Sequence, residues 1–189
     1  MTRIQVNIPD GVIGDWCVKS ITGDSTTIFT DLYGNPSSSE WEEPYGKYTF
    51  LMHNPHQGLI MMDTTTQYIL HEPLWLGATG SVLIGGLGLG FVNQKLLDNP
   101  YVTSVTIVEK YQEVIDLVWP YCPKDSRFTL VHTDMETWNP PEGSYWNYAW
   151  IDTWTPDNPM TTSEYASHMS NKFAPYCDEI GVWCVNQPS

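Results

Sequence analysis

Three acidic residues, Glu109, Asp134 and Asp152, each stand at the end of a short apolar run in the second half of the chain. Carboxylates accept hydrogen bonds from hydroxyl and amino groups, and a carboxylate can also take a proton from a nucleophile. If the three runs are parallel strands of one sheet, the carboxylates lie along its carboxyl edge, where open α/β folds bind ligands. The sequence therefore predicts a ligand site at that edge.

A glycine-rich turn precedes these carboxylates. The run Val82 to Ile84 has the β-branched, apolar character of a buried strand, and it is followed by Gly85, Gly86, Gly88 and Gly90. Glycines at such a turn allow the backbone to approach a ligand closely. The segment 82–109 has the length and order of a βαβ unit, so Glu109, about 20 residues past the glycines, is placed to accept hydrogen bonds from ribose hydroxyls.

The glycine spacing favours a nucleoside that lacks a pyrophosphate. The dinucleotide fingerprint needs its third glycine at position 91, where this chain has Phe91, and no Gly-Lys-Ser/Thr sequence follows to make a P-loop. S-adenosylmethionine (AdoMet) is the common ligand with a ribose and no phosphate. We therefore predict that Gly86, Gly88 and Gly90 lie at an AdoMet site. The alternative is that the turn only packs a helix on the sheet.

The order of predicted elements indicates an α/β fold with two parts. Short β-prone runs separated by turn residues predict a small antiparallel β region within residues 1–75. Strands alternating with helices predict a Rossmann-like, mostly parallel sheet within residues 76–189. The predicted strands cover 3–8, 16–21, 26–30, 48–53, 58–64, 82–84, 105–108, 127–132, 145–151 and 180–185, and the predicted helices cover 91–98, 111–119 and 163–174.

Composition limits the classes of partner. The chain has 22 acidic and 8 basic side chains and a net charge of −14, so it repels nucleic acids and anionic membranes and attracts small cations. No apolar run has the 18 or more residues of a membrane span. The four cysteines form no CxxC pair and no secretory segment is evident, which favours free thiols in the cytoplasm. His53, His56 and His71 lack partners at metal-binding spacing, so no metal is predicted.

An AdoMet site would need few catalytic groups, because the sulfonium carries its own leaving group and the protein mainly aligns the reactants. If the nucleophile is an amine, a nearby carboxylate must take its proton, and we predict that Asp152 does so. Trp154 lies two residues further on, where its ring could face a sulfonium or ammonium group. The alternatives are a capping or solvated role for Asp152 and simple packing for Trp154.

Three segments resemble the polyamine aminopropyltransferases (spermidine synthases), which have a class I AdoMet-dependent methyltransferase fold. They are Gly58 to Gln67 with His71 and Glu72 after it, Val82 to Gly90, and Ile151 to Pro156. The resemblance implies that Gln67 and Glu109 hold the nucleoside and methionyl parts and that Asp134 binds the adenine amine. It also implies that Asp152 binds the amine nucleophile and that His71 and Glu72 lie on the substrate side.

The chain departs from that family at several positions. Leu70 stands where the family has a catalytic tyrosine, Thr155 replaces a second aspartate, and Leu87 replaces an aspartate of the glycine turn. These losses weaken the case for a diamine pocket more than the case for AdoMet. The sequence also ends after the fifth predicted strand, which indicates a C-terminally shortened fold. We expect the N-terminal β region or a second subunit of a homo-oligomer to cover the exposed sheet edge.

Three functional hypotheses follow. The first is an AdoMet-dependent transferase that acts on a small, cationic molecule. The second is a polyamine aminopropyltransferase, which would use decarboxylated AdoMet. The third is a module that binds a nucleoside or forms oligomers without catalysis.

Overall fold

The computed structural model describes residues 3–28, 43–53, 58–155 and 158–183. Nine strands lie within them: β1 Gly11–Ile13, β2 Trp16–Gly23, β3 Gly46–His53, β4 Gly58–Met62, β5 Gly80–Gly85, β6 Val102–Glu109, β7 Phe128–His132, β8 Trp146–Ile151 and β9 Cys177–Val182. The helices are α1 Thr65–Gly77, α2 Asn93–Asp98, α3 Gln112–Val118 and α4 Thr162–Phe173, with 3₁₀ turns at Trp119–Tyr121 and Ala174–Tyr176.

The first four strands form an antiparallel sheet in the order β1-β2-β3-β4. Its strands present buried apolar side chains to a small core that includes Ile21, Tyr48, Phe50 and Met62. The antiparallel β region predicted from the sequence is therefore confirmed. His56 lies outside the described part of the chain, as do the last two residues of the strands predicted at 26–30 and 180–185.

Two of the N-terminal strand predictions were wrong. Residues 3–8 are not in a strand, and within this segment the Val6 N–H donates to the Asp63 carboxylate, which takes the place of a neighbouring strand. Residues 25–28 form a helical turn, because Asp24 accepts hydrogen bonds from the backbone N–H and the hydroxyl of Thr27. In both places an aspartate carboxylate, rather than a neighbouring strand, binds a backbone N–H group.

Helix α1 is absent from the sequence-based prediction. Thr64 caps its first turn by accepting a hydrogen bond from the Gln67 N–H, and the Glu43 carboxylate binds the N–H and hydroxyl of Thr65. The buried face consists of Tyr68, His71, Leu74 and Trp75. That spacing is helical, but Pro73 within the helix and the β-prone residues before it concealed the pattern.

The other five strands form a parallel sheet in the order β7-β6-β5-β8-β9. Counted in chain order, the strands of this sheet stand in the spatial order 3-2-1-4-5, which is the order of a Rossmann-like fold. The direction in which strands are added reverses between β5 and β8. The predicted fold class is confirmed. The strands and helices of this half agree with the predicted ones to within about three residues, which is ordinary uncertainty at element ends.

The edge strand β9 pairs only with β8 among the described residues. The antiparallel sheet forms no strand pairs with the parallel one, and its strands β1 and β2 pack instead against α3. Within the described part of the chain, the N-terminal region therefore adds no strand at β9. Coverage of this edge by a second subunit stays a prediction. No helix in the same residues has the length and apolarity needed to cross a membrane.

Candidate functional site

A cavity of about 360 Å³ opens at the carboxyl edge of the parallel sheet. It lies beyond the carboxyl ends of the neighbouring strands β5 and β8, and α1 and the antiparallel sheet form its far wall. Eight of the residues singled out from the sequence line it: Gln67, His71, Gly86, Gly88, Glu109, Asp134, Asp152 and Trp154. Gly90 and Glu72 are not among the lining residues.

The three glycines of the turn adopt positive φ angles of +93° at Gly86, +50° at Gly88 and +60° at Gly90. A side chain at Gly86 would collide with the Asp152 carbonyl oxygen, and one at Gly88 would collide with the Met61 sulfur. At Gly90 the obstacle would be the Cys122 sulfur. This glycine therefore packs against the protein interior and does not line the cavity. Close approach of protein to protein therefore requires glycine here.

Four backbone N–H groups of this turn are used internally. They donate to protein acceptors as follows: Gly86 to the Val108 carbonyl at 2.8 Å, Leu87 to Glu109 Oε2 at 2.9 Å, Leu89 to Met61 Sδ at 3.4 Å, and Gly90 to the Leu87 carbonyl at 2.8 Å. A phosphate needs several such donors to be vacant. The turn is thus a poor anion cradle, in agreement with the predicted preference for a nucleoside without phosphate.

Glu109 ends β6 and is only 7% exposed. Its Oε2 accepts from the Leu87 N–H and its Oε1 from the Tyr111 N–H, each at 2.9 Å. Burial raises the pKa of this carboxyl, while the two backbone donors act in the opposite direction. Each carboxylate oxygen has a second lone pair, so Glu109 can hold the glycine turn and still accept from ligand hydroxyls.

Asp134 follows β7 at the mouth of the cavity. Its Oδ2 lies 3.0 Å from Lys110 Nζ, and its Oδ1 accepts from the Glu136 N–H at 2.9 Å. The hydrogen bond from Lys110 to Asp134 raises the pKa of the lysine. The carboxylate predicted to bind an adenine amine is therefore already paired with a cation.

Asp152 and His71 both line the cavity, and their side chains contact each other directly. His71 Nε2 lies 3.0 Å from Asp152 Oδ2, and His71 Nδ1 lies 2.9 Å from the backbone oxygen of Gln67. The Asp152 N–H donates to the Gly85 carbonyl at 2.8 Å, which fixes the start of this loop against β5. The sequence singled out both residues, but their pairing joins positions 81 apart and was not predicted.

Aromatic rings make up much of the cavity wall. Trp154 is held in place because its indole N–H donates to the Met160 carbonyl at 3.1 Å. The indole N–H groups of Trp150 and Trp183 are buried and have no hydrogen-bond partner within the described part of the chain. Buried donors usually have an acceptor, so these two N–H groups are consistent with an additional acceptor supplied by a ligand or water.

Several lining residues were not singled out from the sequence as site residues: Trp16, Met61, Lys110, Tyr111, Glu136, Trp150, Thr155 and Trp183. Lys110 and Tyr111 directly follow Glu109, and Glu136 lies two residues after Asp134, so proximity to a strand end was a usable signal. Trp16 and Met61 come from the antiparallel sheet, and no local pattern shows that this sheet reaches the site.

The cavity lining is acidic. Its ionisable side chains are Glu109, Lys110, Asp134, Glu136 and Asp152 together with His71 and two tyrosines. Lys110 is the only lysine or arginine among the described lining residues, and Asp134 pairs with it. No group of three potential metal ligands occurs within the described residues. The cavity is thus suited to an organic cation with aromatic or apolar parts.

Comparisons with known proteins gave partial structural likenesses only. No protein-family model matches the chain, and no curated protein matches it. A protein of Pyrococcus horikoshii, provisionally described as an RNA methyltransferase, is similar over 62% of this chain and 60% of its own, with 19% identity and a TM-score of 0.43. The N-methyltransferase NodS of Bradyrhizobium japonicum is similar over 59% of this chain and 62% of its own, with 10% identity and a TM-score of 0.42.

A spermidine synthase bound to a transition-state analogue is similar over 55% of this chain and 42% of its own, with 14% identity and a TM-score of 0.30. The chain spans less than two thirds of the length of each of these structures. With TM-scores below 0.5, the likenesses do not bear on the chemistry of this site.

Proposed function

We propose that this protein is an AdoMet-dependent transferase acting on a small cationic molecule. The observation that carries the proposal is the placement of Glu109, which binds the glycine turn from the end of the neighbouring strand and lines the cavity at the switch point of the sheet. A nucleoside in that position would present its ribose hydroxyls to Glu109. Because four N–H groups of the turn are paired internally, a nucleoside without phosphate suits it better than a dinucleotide.

Bound AdoMet would supply an electrophilic carbon next to a sulfonium. Attack by an amine forms the C–N bond and breaks the C–S bond, and the electron pair of that bond stays on sulfur as a neutral thioether. The amine nitrogen then loses a proton, and Asp152 is the carboxylate at the cavity floor that would accept it. Gln67, Asp134 and Trp154 would contact the nucleoside and the sulfonium, since all three line the same cavity.

The substrate class follows from charge. Four acidic side chains against a single lysine among the described lining residues, together with the aromatic walls of the cavity, favour a cation, and the net charge of −14 disfavours nucleic acid and anionic membranes as partners. Cys17, Cys122 and Cys177 are free thiols, which supports our placement of the protein in the cytoplasm. The free edge of β9, which has no second strand partner among the described residues, supports a homo-oligomer.

A second candidate, transfer of an aminopropyl group from decarboxylated AdoMet, is favoured by one specific observation. AdoMet carries a carboxylate that needs a cation or several vacant N–H donors, but Lys110 is paired with Asp134 and the N–H groups of Gly86, Leu87, Leu89 and Gly90 are occupied. Decarboxylated AdoMet has no such carboxylate and has one more net positive charge. Against it stand Leu70 and Thr155, where the aminopropyltransferases have a tyrosine and an aspartate.

Calorimetric titration of the purified protein tests the proposal. AdoMet, decarboxylated AdoMet, methylthioadenosine and NAD are titrated in parallel. We expect micromolar or tighter binding of at least one sulfonium ligand and no heat from NAD. Preference for the decarboxylated form would select aminopropyl transfer. If none of the adenosyl ligands binds, the transferase proposal is wrong. If AdoMet binds but no transfer to a panel of small amines is detected by mass spectrometry, the site serves as a non-catalytic binding module.

A further inference from the structure

We infer that His71 is a positioning residue that carries the imidazolium form and holds the Asp152 carboxylate ionised and oriented. The inference deepens the proposed function, since it concerns the residue to which proton acceptance is assigned there. It is based on hydrogen-bond geometry that exists before any ligand is bound, so it can be tested independently of AdoMet.

Each ring nitrogen of His71 faces an oxygen atom, and each of these two contacts needs one proton to be a hydrogen bond. Nδ1 lies 2.9 Å from the Gln67 carbonyl oxygen, which can only accept, so Nδ1 carries a hydrogen. A neutral ring protonated at Nδ1 would then have a bare Nε2, and its lone pair would face Asp152 Oδ2 at 3.0 Å. A second proton must therefore lie between Nε2 and Oδ2. The pair is either an imidazolium with a carboxylate or a neutral imidazole with a carboxylic acid.

The surroundings favour the ionic form. The Asp152 side chain is 28% exposed, so water can solvate its charge, whereas His71 is 3% exposed and has the carboxylate as its counter-ion. The rings of Trp150 and Trp183 pack around the imidazole, with centroids 6.1 and 6.5 Å from it.

The other charged groups that line the cavity are Glu109, Lys110, Asp134 and Glu136, with three negative charges and one positive. Their summed field further favours a cation at His71. Helix α1 carries Glu72 beside His71 in sequence, and its charge acts in the same direction. The packing therefore places a fixed positive charge behind the Asp152 carboxylate.

This arrangement leaves one carboxylate oxygen for chemistry. Oδ2 is bound by His71, so an amine nucleophile would approach Oδ1, and the orientation of that oxygen is set by the hydrogen bond on the other side. The proton released from nitrogen as the C–N bond forms passes to Oδ1. His71 keeps both of its hydrogens and touches neither the substrate nor the transferred group.

The protonation state can be read directly by ¹⁵N NMR of protein labelled in histidine. At neutral pH we expect both ring nitrogens of His71 to give the signals of a protonated imidazolium, with the resonance assigned through correlations to its backbone. The Asp152→Asn variant should convert the ring to the neutral form protonated at Nδ1, because an asparagine amide can donate to Nε2. His168→Gln, a change at an exposed histidine of α4, serves as the control and should leave the His71 signals unchanged.

A neutral His71 ring in the wild-type protein at pH 7, with a single hydrogen on either nitrogen, would overturn the inference. Because the spectrum is recorded without ligand, a failure of AdoMet to bind would overturn the proposed function and leave this result standing. Once transfer is measurable, His71→Gln keeps a donor toward Asp152 and should lower kcat less than His71→Phe, which we expect to lower it by about 100-fold or more. An equal fall of kcat in the two variants, or a raised KM with kcat unchanged in both, would contradict a positioning role.

Discussion

At the scale of single residues, the site depends on carboxylates that serve the protein and the cavity at once. Glu109 was predictable, because an acidic residue at the end of the second strand of a βαβ unit has few other roles. Its bonds to the Leu87 and Tyr111 N–H groups were not predictable, since they depend on the path of the glycine turn in space. The pairing of Asp152 with His71 was hidden for the same reason.

The double role of Glu109 leads to a prediction about binding. Glu109→Gln keeps the size of the side chain but replaces one acceptor oxygen by a donor, so it loses a charge-assisted bond to the ligand and disturbs the turn. We expect AdoMet affinity to fall roughly 10-fold to 100-fold in calorimetric titration. Asp116→Asn is the matched control, because Asp116 is exposed on α3 and lies outside the cavity lining. Equal AdoMet affinity in the Glu109 and Asp116 variants would show that Glu109 does not bind the ligand.

At the scale of elements, the strands and helices of the parallel sheet were largely readable from apolar runs, whereas α1 was not. The residues that make α1 a helix include Thr64 and Glu43, which bind its first turn, and Glu43 is more than 20 positions away along the chain. Local patterns could not reveal that contact. Because α1 carries both Gln67 and His71, missing the helix also concealed how these residues reach the cavity.

The glycine turn gives a prediction that separates backbone strain from steric collision. Gly86→Ala and Gly143→Ala both place a side chain at positive φ, which costs roughly 1 to 2 kcal/mol. At Gly143 the added carbon meets nothing within 4 Å, but at Gly86 it collides with the Asp152 carbonyl oxygen. Denaturant unfolding should therefore show a clearly larger loss of stability for Gly86→Ala. Similar losses for the two variants would mean that the turn can move away from Asp152.

At the scale of the whole molecule, a buried aspartate connects the N-terminal segment to the antiparallel sheet. The Asp63 carboxylate accepts from the backbone N–H groups of Val6 and Thr49, and Arg3 Nη1 lies 3.3 Å from its Oδ1. The sequence predicted that residues near the N-terminus belong to the β region. It could not show that a carboxylate, rather than a strand pair, would attach them.

Asp63 makes the stability of the fold depend on pH. Burial raises the pKa of Asp63 to about 6, outweighing the hydrogen bonds and Arg3, compared with 3.8 for an ordinary aspartate. A raised carboxyl pKa means that the folded state binds the proton more tightly, so this stabilisation is present below about pH 4 and is lost as the pH rises through 6. A shift of about two pKa units corresponds to about 3 kcal/mol.

Urea unfolding of the wild type and Asp63→Asn across pH 4 to 7 measures this contribution. Since asparagine does not titrate, the stability of the wild type relative to the variant should fall by about 2 to 3 kcal/mol over that range. Other carboxylates affect both proteins alike and cancel in the difference. A constant difference would show that Asp63 titrates as it does in the unfolded chain.

The aromatic wall of the cavity makes the protein its own optical probe. Trp16, Trp150, Trp154 and Trp183 all line one cavity, out of nine tryptophans in the chain. A purine or a sulfonium that enters among these indoles would change their emission, so ligand binding should be visible as a change in intrinsic fluorescence without any label. Trp154→Phe would remove the fluorescent indole two residues after Asp152. Comparing the fluorescence change of this variant with that of the wild type would show which part of the signal comes from the reacting end of the ligand. Unidentified substrates could be screened in this way before any product assay exists.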